Sequence, residues 1–430
     1  MIRTTMAYVA TAALSLGAAW ASRPLPSEPL VFEDTGSLFF PDFDDPAEAT
    51  RLEVHAWSKE AADMKSFAVA FEDGRWVIPT HHNYPADAVE RMGKAAGSFV
   101  GVRKDIFVSE LEDDHAKLGV LSPDALEGEA EDRGTRVVLQ EASGKSLVDI
   151  IVGKAVPDKT GYRYLRETGS NRVYASKLRV DLSTRFSDWI ERDLLSIKAD
   201  EIVALELHPY RVDEGTGRVA GDDAMRFELR SADGEAAPQW TQVEVQPSSN
   251  EGEPERELLP PPRGKELDTS LIRAMTRSLD ALDIVGVRAQ PTPLTPRALE
   301  SKGFFLTADL SQLFGNEGHI SATTRDGVVL TLYFGEVSHE TGLALSAGLE
   351  AADAKEGGSS SEGSAHRYMF VTVGYDATRD ESAAGDESQA PAGKARADAL
   401  SQRFSKWFYV VSNTAFEQLR KDRSTLFNAK

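Results

Sequence analysis

The 430-residue sequence contains no cysteine. Disulfide bonds, thiolate catalysis and cysteine-ligated zinc are therefore excluded, as is lipid attachment through a cysteine. The chain also lacks positive charge, because 48 Lys and Arg stand against 69 Asp and Glu, which gives a net charge of −21. Without a basic stripe, binding to nucleic acid is disfavoured. The content of 41% hydrophobic and 27% charged residues is typical of a globular protein, long enough here for two or three domains.

The N-terminus has an apolar run that falls short of the roughly 20 residues needed to cross a bilayer comfortably. This run, residues 6–20, follows Arg3 and ends in an Ala-x-Ala pattern at Ala21. We predict that residues 1–21 are a signal sequence or membrane anchor and that residues 22–47 form an extended linker. An anchored protein of the cell membrane, with its C-terminal bulk in the periplasm, is favoured over secretion after Ala21.

Two nearly identical stretches, LEVHAW at 52–57 and LELHPY at 205–210, indicate an internal duplication. More pairs follow in the same order along both halves, and their offset grows from 153 to 236 residues. The pairs are FAVAFEDG at 67–74 with FELRSADG at 227–234, Trp76 with Trp240, VGVR at 100–103 with 285–288, hairpins ending at Gly153 and Gly335, YRYLR at 162–166 with HRYMF at 366–370, and VYAS at 173–176 with YVVS at 409–412. A tandem copy with insertions in its second half produces such an ordered drift. We therefore predict a first repeat at 48–200 and a second at 201–430.

Three segments of the second repeat have the composition of insertions. They are residues 246–265, rich in Pro, Glu and Ser, and residues 351–365 and 379–398, rich in Gly, Ser, Ala and acidic residues. Such segments bury too little apolar surface to offset the entropy of ordering them. They are predicted to be flexible loops; a role as docking segments is the alternative.

Each repeat alternates strand and helix patterns in the same sequence. Apolar residues recur with helical spacing in residues 85–99 and 268–282, the latter with Asp268 or Thr269 as N-cap. Residues 177–195 and 413–424 also have a helical pattern, the second with a capping box from Thr414 to Glu417. The remaining segments alternate like strands and end in Asp-Gly or Ser-Gly turns. The prediction is an α+β fold of two tandem domains, in which antiparallel hairpins carry helices packed on the sheet.

The eight histidines are scattered, and only one pair is adjacent. His81 and His82 suggest a metal site, but adjacent side chains of an extended chain point apart and share one ion poorly. His55 and His208 recur at the same place in the two repeats, where a strand histidine bonded to its neighbours is the simpler interpretation. Residues 144–146, Gly-Lys-Ser, resemble the end of a phosphate loop but lack its first glycine, so a hairpin turn is favoured.

Other candidate chemistry is equally general. Acidic residues such as those at 110–114 could serve a glycosidase, yet a charge run is usually a solvated face. Residues 342–348 lack the Gly-x-Ser-x-Gly pattern of a nucleophile elbow. Trp76, Trp240, Tyr162 and Tyr164 could line a ligand groove, although aromatics at strand spacing usually belong to a core. We assign no catalytic, cofactor-binding or metal-binding residue and no cofactor.

Several stretches together resemble a bacterial family called domain of unknown function 4340. In the first half they are residues 76–79 (WVIP), 85–87 (PAD), 117–123 (KLGVLSP), the strand ending at Gly153, and 173–174; in the second half they are residues 326–335 and 403–412. The resemblance covers most of the chain after residue 45, as two tandem copies. It implies an N-terminal membrane anchor and membrane protein partners, because such proteins are often encoded beside an ABC-type transport system of the gliding-motility kind. It brings no activity and no catalytic residues.

These observations leave three hypotheses. The first is a non-enzymatic, membrane-anchored extracytoplasmic protein, an accessory or scaffold subunit of an ABC-type transport complex. The second is a periplasmic protein that binds a ligand between the two repeats. The third is a carboxylate-dependent envelope hydrolase. Convergence of His81, His82 and carboxylates in a pocket would favour binding or catalysis, whereas a flat, apolar, exposed face between the repeats would favour assembly.

Overall fold

The computed structural model describes residues 34–58, 63–191, 193–213, 215–221, 224–231, 237–243, 262–340, 342–348, 365–380 and 392–429. Within these ranges the chain forms seven α-helices and 23 strands, and every paired strand of the sheets is antiparallel. The fold is therefore α+β, as predicted. The proposed signal or anchor at 1–21 lies outside the described residues. Among the helices that are described, none has both the length and the hydrophobicity required to span a membrane.

The first half of the chain builds one nine-stranded sheet. Its strands are β1 (Arg51–Ser58), β2 (Asp63–Glu72), β3 (Arg75–Ile78), β4 (Tyr84–Pro85), β5 (Ile106–Ser109), β6 (Thr135–Gln140), β7 (Ser146–Ala155), β8 (Tyr162–Glu167) and β9 (Val173–Lys177). Their spatial order is β4-β3-β2-β1-β6-β7-β8-β9-β5. Helix α1 (Val89–Gly97) and helix α2 (Asp113–Leu118) precede and follow β5 along the chain.

The second half builds an eight-stranded sheet and three small ribbons. The sheet contains β10 (Ile202–His208), β13 (Met225–Arg230), β14 (Gln239–Val243), β16 (Gly286–Ala289), β19 (His319–Thr324), β20 (Val328–Ser338), β21 (His366–Tyr375) and β22 (Trp407–Ser412). The ribbons pair β11 (Arg211–Asp213) with β12 (Arg218–Ala220), β15 (Lys265–Leu267) with β23 (Phe427–Ala429), and β17 (Phe304–Leu306) with β18 (Leu313–Gly315). The helices are α3 (Thr269–Asp280), α4 (Pro296–Glu300), α5 (Gly342–Ala347), α6 (Ala392–Phe404) and α7 (Asn413–Leu419).

The two sheets have the same connectivity. The order of the second sheet is β14-β13-β10-β19-β20-β21-β22-β16. This order repeats that of the first sheet without β4. The counterparts of β1, β2, β3 and β5 are β10, β13, β14 and β16, and the counterparts of β6 to β9 are β19 to β22. Helices α1 and α3 occupy the same place in this order, and so do α2 and α4.

Strands β7 and β20 both contain a bulge at the glycine that ends the matched hairpins. The register with the next strand shifts between Val152 and Ala155 in one sheet and between Phe334 and Val337 in the other. An arginine of that next strand donates to the carbonyl of the bulged glycine in each case. Arg163 reaches Gly153 O at 2.6 Å, and Arg367 reaches Gly335 O at 2.6 Å. We call Gly153 with Arg163, and Gly335 with Arg367, the bulge motif.

A left-handed glycine lies above each bulge and allows a helix to end there. Gly119 (φ 68°) follows α2, and Gly303 (φ 79°) follows α4 after two residues. The close approach excludes a side chain at the bulge, because a Cβ on Gly153 would lie 2.8 Å from Leu118 O and one on Gly335 would lie 2.2 Å from Lys302 O. This pairing of Gly119 with Gly303 was not foreseen from the sequence.

Three of the four predicted helices are present and one is not. Helices α1 and α3 fall within the predicted ranges, and Asp268 is the N-cap of α3. Helix α7 is capped by Ser412 rather than by the predicted box at Thr414. In place of the helix predicted in residues 177–195, the described residues form the end of β9, irregular chain and one 3₁₀ turn, Phe186–Asp188. Side-chain bonds compete with helix here, since Trp189 Nε1 donates to Ser183 O at 2.9 Å.

The predicted linker and insertions differ in part from the structure. Residues 34–47, the described part of the predicted linker, pack against the rest of the protein, because Phe39, Phe40 and Phe43 are buried in the core. Of the insertions, 246–261, 351–364 and 381–391 lie outside the described residues, whereas α6 begins at Ala392, inside the range predicted as a loop. Its apolar residues Ala397, Leu400 and Phe404 face the core and explain why this end is helical.

One hydrophobic cluster runs through both halves. It includes Leu52 and Met92 of the first half and Leu205 and Met275 of the second. The opposite faces of the sheets have separate, smaller clusters: Leu118, Val120, Ile151 and Val173 under α2, and Leu299, Phe304, Tyr368, Phe370, Phe408 and Val410 under α4. Each sheet is therefore covered on both faces, and the two halves share one core.

Candidate functional site

The two candidate histidines lie at the junction, by which we mean the contact region between the first half and the second. They occupy the turn after β3, where His82 and the residue after it are left-handed (φ 57° and 59°). His81 Nε2 lies 2.9 Å from Ser346 Oγ, and His82 Nε2 lies 2.6 Å from Ala347 O. A carbonyl oxygen only accepts hydrogen bonds, so Nε2 of His82 is the donor in this bond. Both rings thus bind the C-terminal end of α5.

His81 is a buried, neutral imidazole. Only 2% of the residue is exposed, and its ring stacks on Phe186 with 4.6 Å between the centroids. Burial lowers the pKa of His81 to about 3, and the neighbouring His82 and Arg288 add to this effect. Its Nδ1 lies 3.0 Å from Thr80 Oγ1, so the two ring nitrogens contact one hydroxyl each.

Ser346, His81 and Thr80 have the connectivity of a hydroxyl nucleophile, a base and an orienting group. A useful general base has a pKa near the working pH, and a base whose conjugate acid has a pKa of about 3 accepts a proton poorly. The hydroxyl also lies in the last turn of α5, where the helix dipole is negative and opposes a developing oxyanion. This arrangement favours a fixed hydrogen bond over activation of Ser346.

Arg288 holds α5 from the side of the second half. Its guanidinium donates to Ala344 O at 2.6 Å and to Leu345 O at 2.9 Å, and it pairs with Glu340 at 2.5 Å. Cations at a helix C-terminus satisfy carbonyls that have no partner inside the helix. The end of α5 is therefore fixed on one side by an arginine and on the other by the two histidines.

Helix α6 makes a second polar contact across the junction. Arg396 donates to Ser196 O at 2.5 Å and pairs with Glu201 and Asp326, both at 2.9 Å. Arg403, two helical turns later, donates to Ser196 Oγ at 2.9 Å and lies 3.2 Å from Glu191. The segment that joins the two sheets is thereby tied to a helix of the second half.

An open crevice of about 570 Å³ lies beside these contacts. Its walls come from the turn region of the first half, from the joining segment and from the α6–β22 region: Arg75, Asn83, Tyr84, Pro85, Ala86, Asp87, Glu191, Gln402, Arg403, Lys406 and Trp407. Tyr84 and Trp407 meet edge to face with 5.0 Å between ring centroids. A site between the two halves was one of the hypotheses from the sequence, but its lining residues were not predicted, because residues 75–87 and 402–407 lie more than 300 residues apart.

A smaller cavity of about 260 Å³ contains His81 in its wall. Lys65 and Arg185 also line it, but no carboxylate is among the described residues that do so. The convergence of both histidines with carboxylates, which would have favoured binding or catalysis, is therefore not seen in the described part of the chain. Among all the residues that the structure describes, no group of three or more His, Asp or Glu is placed to hold a metal ion.

The remaining candidates lie apart from the junction contacts. His55 and His208 each contact the glutamate two residues earlier, at 3.4 Å and 2.7 Å. Lys145 lies in the β6–β7 hairpin turn, as predicted for Gly-Lys-Ser. In the acidic run, Asp114 accepts from Ser109 and Glu112 from Asn171. The four aromatic residues are also in strands: Trp240 is buried, and Trp76, Tyr162 and Tyr164 are half-buried.

Fold and site together define a two-sheet α+β protein whose halves are joined by polar contacts from two helices of the second half. A family model, Domain of unknown function (DUF4340), matches residues 76–302. The match covers more than half of the chain, which therefore belongs to this family. The match is one continuous range that crosses residue 200, the predicted boundary between the repeats. It therefore does not test the prediction that each half is one copy of the family domain. No curated protein and no solved structure matches the chain.

Proposed function

We propose that this protein is a non-enzymatic, membrane-anchored scaffold or accessory subunit of an ABC-type transport complex of the gliding-motility kind. The anchor is the N-terminal segment at 1–21, and the body lies outside the cytoplasm, in the periplasm. The observation that carries the proposal is the use of the junction's polar side chains. His81, His82, Arg396 and Arg403 bind main-chain or side-chain groups across the junction, and Arg288 fixes the end of α5 that receives the histidines.

A scaffold requires surfaces held at a constant separation. A core shared by both halves, together with polar contacts at two places on the junction, supports such rigidity. Membership of the family and the apolar N-terminal run support the location and the transport partner, through the gene neighbourhood that the resemblance implies.

We further propose that the two halves arose by tandem duplication. The equal strand order supports this, and the bulge motif adds independent support. Matched glycines and arginines form the same bond in both sheets, at sequence offsets of 182 and 204 that fit the drift of the other pairs. Two sheets of independent origin would not be expected to share the register shift, the arginine bonded to the bulged carbonyl and the left-handed glycine that lies above it.

The transport role is tested by solubilising the full-length protein from native membranes in mild detergent and identifying the proteins that co-purify. We expect permease and ATPase subunits in constant ratio to it. The matched control replaces residues 1–21 with a cleavable secretion signal, which should release the body and reduce recovery of the partners. Recovery of the full-length protein alone, or as a soluble chain beginning at Ser22, would refute the proposal.

A second candidate function is ligand binding in the crevice. The specific observation is a 570 Å³ space with walls from both halves, a size within the range of small-molecule sites. A ligand there would touch both halves at once. Binding of a small molecule by the purified full-length protein, abolished by substitutions in the crevice, tests this function independently of the co-purification.

A further inference from the structure

The chemistry of the crevice indicates which class of ligand it would bind, and this inference rests on the second candidate function. Its apolar lining comes from Pro85 and from Tyr84 and Trp407, of which 6% and 8% are exposed. Burial raises the pKa of Tyr84 to about 12, so the phenol stays neutral at physiological pH. Aromatic rings of this kind contact planar apolar groups well.

The charges of the crevice do not cancel. Arg403 already pairs with Glu191 at 3.2 Å and donates to Ser196. Arg75 and Lys406, both exposed, form no ion pair with any described residue, and the same holds for the carboxylate of Asp87. Two cations and one anion remain, a local net charge of +1 on a chain whose total is −21.

A positive cleft in an acidic protein is a local field that favours negative ligands. The arginine lies on the first-half wall and the lysine on the second-half wall, so an anion between them would interact with both halves. One negative charge is enough to neutralise the crevice. We infer that the crevice binds a monoanionic organic molecule with a planar apolar body, the body against Tyr84 and Trp407 and the anionic group toward Arg75 and Lys406.

The test uses a matched pair of probes, 2-naphthoate and its neutral counterpart 2-naphthamide. Each is titrated into the full-length protein in non-ionic detergent, and binding is followed by saturation-transfer NMR of the probe with a detergent-only blank. We expect one saturable site that binds the carboxylate about tenfold more tightly than the amide, as for one charge-assisted contact.

Charge reversal assigns the contact. Arg75→Glu and Lys406→Glu should each weaken binding of 2-naphthoate about tenfold and change binding of 2-naphthamide less than twofold. Lys145→Glu, the same charge change in an exposed turn outside the crevice, should leave both unchanged. Far-UV circular dichroism verifies that each variant is folded.

Three results would overturn the inference. Equal affinity for both probes would refute the anionic class and leave ligand binding standing. Saturable binding that neither reversal weakens would place the site elsewhere. Absence of saturation with both probes would refute this ligand class, while the second candidate function would still be decided by binding of other small molecules and the transport role by co-purification.

Discussion

Substitution of Gly335 by alanine tests the bulge motif most directly. The new methyl group would lie 2.2 Å from Lys302 O and 2.8 Å from the ring of Phe304. Both atoms belong to the short helix–strand unit that covers the sheet, and the carbonyl also accepts from Glu336 N at 2.9 Å. The main chain would have to move, which would also disturb the bond from Arg367. Overpacking of this kind costs about 1–3 kcal/mol, and we expect the upper end.

Gly153 is the counterpart in the first sheet and should behave in the same way to a smaller extent. There the nearest atom is a methyl group of Val120 at 2.5 Å, while the closest carbonyl, Leu118 O, is 2.8 Å away. A side chain yields more easily than a carbonyl, so we expect Gly153→Ala to cost about 2 kcal/mol. The control is Gly374→Ala in β21, where the nearest atom would be 3.7 Å away.

The assay is urea unfolding of the full-length protein, followed by far-UV circular dichroism. Gly374→Ala should change the free energy of unfolding by less than about 0.5 kcal/mol, because it fits and also restricts the unfolded chain. If Gly335→Ala and Gly153→Ala are no more destabilising than this control, the close contact above the bulges is not present in solution. The two sheets would then lose their most specific common feature.

Three further predictions concern the junction. Because folding lowers the pKa of His81 from 6.5 to about 3, its contribution to stability is complete above pH 6.5 and is lost as the pH falls toward 3. Between pH 7 and pH 4.5, the free energy of unfolding of the wild type should therefore fall by roughly 3 kcal/mol more than that of His81→Gln. An equal fall in the wild type and the variant would contradict this prediction. Arg396→Met should lower the free energy of unfolding by about 2–3 kcal/mol, against less than about 0.5 kcal/mol for exposed Arg297→Met. Circular dichroism and tryptophan fluorescence should give one coincident urea transition, and two separated transitions would show that the shared core does not couple the halves.

Local patterns allowed much of the fold to be predicted from the sequence. Alternation and Asp-Gly turns identified the hairpins, and the turn at Asp73 and Gly74 has the two positive φ angles, 51° and 79°, that suit a tight hairpin. Apolar spacing identified α1 and α3. It failed in residues 177–195, where the apolar side chains are buried between other elements without forming a helix, so burial and not helix geometry explains their spacing.

The site could be predicted only in part. His81 and His82 were identified as candidates, but their partners on α5 are 265 residues away and have no recognisable motif. The role of Arg396 was hidden for a different reason. It lies in a segment whose composition indicates a loop, and the helix that contains it packs Ala397, Leu400 and Phe404 into the core against strands of its own half.

The long connections of the second sheet supply the contacts that join the two halves. In the first sheet the two hairpins β7–β8 and β8–β9 are closed by short connections at 156–161 and 168–172. The matching connections of the second sheet are 339–365 and 376–406, and they carry α5 and α6, the helices that receive the histidines and supply Arg396 and Arg403. The contacts across the junction therefore come from the parts in which the halves differ, whereas the bulge motif lies in the part they share. Under duplication, the common sheet would be the older feature and the junction, with its crevice, the acquired one. A function specific to this chain is then to be sought at the junction rather than on the repeated sheets.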